Sequence, residues 1–122
     1  MMLYNTAFDE QGRVVFSYYR ERLVKKDRYF RWQEPVHEYL DVYGKVITSD
    51  ICITHTKQDR PLNTRNIRIY ENLIANGESL TPRGTYYYAR ELKEHERFDD
   101  AIRLFQQFLD SEEGWVEDNI TA

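Results

Sequence analysis

The hydrophobic period of this chain changes once, between Thr56 and Asn63, and that change restricts it to strands first and helices after. Residues 36–42 alternate, with Val36, Glu38, Leu40 and Val42 on one face and His37, Tyr39 and Asp41 on the other. Residues 46–55 place Ile47, Ile51 and Ile53 on one face. Upstream, residues 3–8 read as a strand, 9–12 as a turn ending in Gly12, and 13–24 as a long second strand without Gly or Pro. Residues 25–31 form a basic connection, and Tyr43-Gly44-Lys45 a turn. Both apolar faces should share one side of a sheet, because a slip of one residue would expose one of them. That register pairs Val42 with Ile47 and Glu38 with Ile51, and it puts His55 on the face of Glu38.

After a polar linker at 57–62 the spacing becomes three and four residues. Asn63 can cap a first helix carrying Ile67, Tyr70, Leu73 and Ile74 and stopping at Gly77. Thr81-Pro82 opens a second as cap and first-turn proline, carrying Tyr88, Ala89 and Leu92 and ending near Arg97. Of the adjacent Tyr86, Tyr87 and Tyr88, at most two can face a core. A third helix over 98–111 turns Ala101, Ile102, Phe105 and Leu109 inward, and a fourth begins at Gly114-Trp115-Val116. His95 reads as a helix-surface residue. The fold class expected is α+β: antiparallel strands and hairpins over about 3–55, then a helical hairpin array over about 63–122. With 122 residues this is one domain or two small units sharing a core, divided as 1–56 and 63–122.

Charge divides along the same line. Between Arg13 and Arg31 seven Lys or Arg face two acids, and between Glu91 and Asp118 ten acids face three bases. The net charge of −4 gives no reason to expect a nucleic-acid partner. No apolar run of about 18 residues is present, so no membrane-spanning helix is expected. The first residues lack the pattern of a signal peptide. The single Cys52 cannot form an internal disulfide and reads as a buried thiol in a reducing, cytoplasmic compartment.

Two resemblances follow from particular residues. Ala89, Ala101 and Phe105 are 12 and 4 apart, the spacing of the small residues and the aromatic in a tetratricopeptide repeat, and 81–114 spans one such unit. Thr85 stands where the repeat favours Trp, and its late proline is missing. Further upstream come Arg20-x-Arg22-Leu23-Val24-Lys25, Phe30-Arg31-Trp32, Val36-His37-Glu38-Tyr39-Leu40, Gly44 and Ser49-Asp50-Ile51-x-Ile53-x-His55. In this order they resemble the C-terminal part of family 2 glycosyltransferases of the GT-A type that continue into tetratricopeptide repeats. The resemblance covers essentially the whole chain, and Arg-Trp followed by Val-His-Glu is its most specific element. Glu34-Pro35 departs from it, since the family commonly has glycine nearby.

That resemblance implies transfer of a sugar from a nucleotide-sugar donor to an acceptor. It also implies an N-terminal nucleotide-binding half with an Asp-x-Asp motif and a divalent metal, Mg or Mn. No Asp-x-Asp occurs in this sequence, so the chain by itself is expected to be inactive and to carry no cofactor of its own. Under the resemblance His37 and Glu38 are the catalytic candidates, and Arg20, Arg22, Trp32 and His55 the substrate-binding ones. Guanidinium forks match phosphate oxygens, and an indole can stack on a sugar or base. Each also has a structural reading: His37 as a strand histidine bonded to backbone, Glu38 paired with Arg20, Arg22 or His55, His55 as a plain strand-end residue, Trp32 as core, and the arginines as guards of a strand edge. The alternative function is a stand-alone tetratricopeptide-type module that holds a protein or peptide. Uncovered faces of such an array would favour self-association.

Overall fold

The computed structural model describes residues 1–56, 58 and 60–122. Lys57 and Asp59, within the linker expected at 57–62, lie outside the described residues. The fold is mixed α+β, with small antiparallel strand pairs preceding helices. Two units separate by their contacts. The first holds Met1–Gln33 and Tyr39–Pro61, and the second holds Glu34–Glu38 and Leu62–Ala122. Among the described residues no helix is long and apolar enough to cross a membrane.

The first unit is built on β1 (Met2–Phe8) and β2 (Val14–Arg20), an antiparallel hairpin. Asp9 closes its turn: one carboxylate oxygen accepts the N–H groups of Gln11 at 3.0 Å and Arg13 at 2.8 Å, and the other accepts the Arg13 guanidinium at 2.7 Å. Gly12 takes φ of 76°, which a side chain would resist. β2 stops at Arg20, short of the expected Val24, and its register slips twice opposite Asn5–Phe8.

The expected hairpin of 36–42 with 46–55 does not form. Residues 52–54 make β5 (Cys52–Thr54), which pairs with β1 in parallel, Leu3 opposite Cys52 and Asn5 opposite Thr54. β1 already gives one edge to β2, and its other edge satisfies the backbone of β5. Local alternation cannot report so distant a partner. Of residues 36–42 only Tyr39–Leu40 is extended, as β4, and it pairs with β3 (Trp32–Gln33). Cys52 is exposed, not buried, because β5 is a three-residue edge strand.

The second unit contains α1 (Arg65–Ala75), α2 (Pro82–Glu94), α3 (Phe98–Ser111) and the short α4 (Val116–Thr121). Asn63 accepts the Arg65 N–H at 3.0 Å and Gly77 ends the first helix at φ of 80°, as expected. Thr81 caps α2 by accepting the Gly84 N–H at 2.9 Å, with Pro82 in the first turn. Ile67, Tyr70, Tyr88, Leu92 and Ala101 form the core, and Val36 joins them. Val36 therefore belongs to the helical core, where Pro35, which cannot donate to a ladder, ends any strand before it.

On α3 the inward stripe is Ala101, Phe105 and Phe108 rather than one including Ile102 and Leu109. Ile102 is 65% exposed and Leu109 is exposed, while Phe108 is fully buried. Phe108 meets Tyr86 at 5.2 Å and lies against Gly114, where any Cβ would clash with the edge of its ring. Tyr86 and Tyr88 are buried and Tyr87 is half-buried. His95 is also half-buried, with its ring nitrogens 2.9 Å from the Glu91 carbonyl and 3.1 Å from that of Asn63, so it ties α2 to the start of α1.

Candidate functional site

The loop Glu34–Glu38 carries the chemistry of the second unit. Two non-glycine residues there adopt the left-handed backbone, Glu34 at φ of 68° and His37 at φ of 56°. Each such residue costs about 1–3 kcal/mol and persists only where its surroundings hold it. The holding groups come from α2. Thr81 donates its hydroxyl to Glu34 Oε1 at 2.7 Å, and a Cβ at Gly84 would stand 3.2 Å from that hydroxyl and 3.4 Å from the other oxygen of the carboxylate. Arg83 reaches the His37 carbonyl at 3.5 Å. Val36, between them, is anchored in the core.

The His37 ring lies flat on Tyr87, with centroids 4.3 Å apart and an interplanar angle of 27°. The Arg83 guanidinium stands 4.7 Å from the Tyr87 ring centre. His37 Nε2 sits 3.1 Å from Glu91 Oε1, and Asn66 Nδ2 donates to the same oxygen at 2.8 Å. A carboxylate only accepts, so Glu91 holds the proton of a neutral His37 on Nε2 and leaves Nδ1 with its lone pair. Glu91 is nearly covered while His37 keeps 41% of its side chain exposed. The pair thus has a buried orienting group and an accessible base, the order acid–base chemistry needs. Beside them the Tyr70 hydroxyl is buried without a hydrogen-bond partner among the described residues. Burial, then the Glu34 and Glu91 carboxylates, push its ionisation well above the ordinary value of 10.

Glu38 is exposed and belongs to the second unit with His37; the partners expected for it are Arg20, Arg22 and His55. Those three belong to the first unit, as does Trp32, so the structure does not gather the six candidates into one unit. Trp32 is 63% exposed on β3 and is not core. The others cluster around the sheet. His55 Nδ1 is 2.9 Å from the Tyr4 hydroxyl, and the Arg22 guanidinium stands 4.5 Å above the Tyr4 ring. Arg20 pairs with Glu21 at 3.3 Å and faces the Tyr18 ring at 5.9 Å.

Sequence reasoning missed Glu91, Asn66, Tyr87 and Arg83. Arg83, Tyr87 and Glu91 recur every four residues and so line one face of α2, a half-buried stripe at the edge of the core, where Tyr87 packs and the loop docks. Among the described residues no group of three or more His, Cys, Asp or Glu is placed to hold a metal ion. No family model matches the chain, and no curated protein and no solved structure matches it.

Proposed function

We propose that this chain is the C-terminal segment of a family 2 glycosyltransferase, acting on a nucleotide-sugar and an acceptor together with a donor-binding half, and inactive alone. The observation that carries the reading is His37. It is the histidine of the Val-His-Glu element, held in a left-handed backbone, stacked on Tyr87 and oriented through Nε2 by a covered Glu91. Strain of this kind collects at functional sites, and a His–Glu pair with a part-exposed imidazole can take a proton from an acceptor hydroxyl or, once protonated, meet a phosphate oxygen. Glu91 orients and His37 is the reacting group; no step is assigned to a metal.

Two activity measurements test this. The purified chain should neither hydrolyse nor transfer from any nucleotide-sugar; turnover abolished by His37→Ala would overturn the need for a donor half. In an enzyme carrying an Asp-x-Asp half before this segment, His37→Ala should lower kcat by roughly 10²–10⁴-fold with donor KM little changed. An unchanged kcat would remove His37 from the reaction.

The finer reading of the helices as tetratricopeptide-like is part of the same proposal. Ala89 and Ala101 are fully buried on α2 and α3, and Phe105 meets Tyr86 at 5.9 Å, as small residues and an aromatic would in such a seam. A second reading, a stand-alone peptide-binding module of this type, is favoured by the outer face of α3, where Phe98 and Ile102 are exposed.

A further inference from the structure

We propose that the first unit binds a single-chain amphiphile with an anionic head, in a cleft of about 310 Å³ lined by Met1, by residues from the 21–30 segment and by residues 42–47. This stands on the first unit alone and does not rest on the sugar-transfer reading. The apolar side of the cleft is made by Leu23, Val24, Phe30 and Val46. Tyr43 fixes one wall: its ring stands edge-on to Phe30 at 4.9 Å and its hydroxyl donates to the Arg28 carbonyl at 3.3 Å. Leu23 is 78% exposed, a large apolar side chain left in water at the mouth of a concave surface.

The rim is cationic. Lys25, Arg28 and Lys45 line it, and their side chains make no hydrogen bond or ion pair among the described residues. The one acid of the lining, Glu21, is already paired with Arg20 at 3.3 Å. A sugar or a base would find few side-chain partners for its polar edges on Leu, Val and Phe surfaces. An alkyl chain fits that side, and one carboxylate or phosphate fits the unpaired cations. The volume lies at the small end of ligand sites, about 300–1,000 Å³, which suits a chain of about eight carbons with one head.

The test titrates the 122-residue chain with octanoate, octyl phosphate, octanol and inorganic phosphate, following amide resonances. An octyl anion should saturate and shift Leu23, Val24, Phe30 and Val46, and the tighter of the two identifies the head. Octanol and inorganic phosphate should each bind at least tenfold more weakly. From hexyl to octyl each methylene should tighten binding by up to about fourfold. Lys25→Glu with Lys45→Glu should weaken the octyl anions at least tenfold and leave octanol unchanged. The proposal is overturned if neither octyl anion saturates, if octanol or phosphate alone binds as tightly, or if the shifts fall outside the cleft. Should the double variant fail to fold, the head and chain-length series on the native chain decides.

Discussion

Replacing Tyr70 by Phe should stabilise the protein, which is unusual for a change at a fully buried core position. The ring stacks on Tyr88 at 4.9 Å and 27°, and Phe keeps that contact and the same buried apolar area. What it removes is a buried hydroxyl without a hydrogen-bond partner among the described residues. An unsatisfied buried polar group costs about 1–3 kcal/mol, and the atom-sized void left behind returns some of that. The net expectation is a gain of about 1 kcal/mol, or roughly 3–6 °C in Tm for a domain of this size. A second readout follows from linkage. Burial raises the folded-state pKa of Tyr70 above the ordinary 10, so its neutral form is favoured in the fold. That stability is fully present below pH 10 and is lost as the unfolded chain ionises above it. The Phe variant has no such loss, so its advantage should widen above pH 10. Urea unfolding of both proteins at pH 7 and pH 10.5 measures both effects. Destabilisation of 1 kcal/mol or more at pH 7 would refute the reasoning, because it would mean the hydroxyl is paired in solution.

Gly114→Ala should destabilise by about 1–2 kcal/mol, since its Cβ meets the buried Phe108 ring, and overpacking outweighs the entropy the unfolded chain loses; thermal unfolding with no loss would contradict this. Phe108→Ala should cost about 3–5 kcal/mol and Ile102→Ala less than about 1, because only the first is buried; equal costs by chemical denaturation would return Ile102 to the core. Asp9 has its carboxyl held below the ordinary 3.8 by the Arg13 backbone N–H, so its support of the hairpin turn is present above that value and fades as pH falls through the lowered one. A carboxyl carbon titration that places Asp9 at or above 3.8 would disprove it. Exposed Ile102, Trp115 and Val116 should make the chain self-associate at high micromolar concentration; strictly monomeric sedimentation would refute this, and Trp115→Ala should shift the balance with little change in Tm.

The helices were legible because their signals are local. Thr81-Pro82, Gly77 and the spacing of Tyr88, Ala89 and Leu92 each act within a few residues, and each appears where expected. The strands were legible only where a turn joins neighbours, as at Asp9–Gly12. The parallel partner of β1 lies some fifty residues away, and nothing local in Cys52–Thr54 names it. At Val36-His37-Glu38 alternation was misleading: Pro35 removes a donor, and the left-handed Glu34 and His37 turn Val36 into the helical core. The resemblance points to His37, but the partners that give it chemistry stand on α1 and α2, more than twenty-five residues further on. The three- and four-residue spacing on α3 points to Ile102 rather than Phe108, because the neighbours that bury Phe108, Tyr86 and Gly114, lie outside that helix.

The central claim is that this segment works behind a nucleotide-binding half. Sequencing the transcript that carries it, on the 5′ side of the Met1 codon, tests this most directly. The account predicts an in-frame α/β segment containing an Asp-x-Asp motif. A transcript whose reading frame opens at Met1, with no such half encoded in frame before it, would contradict the account.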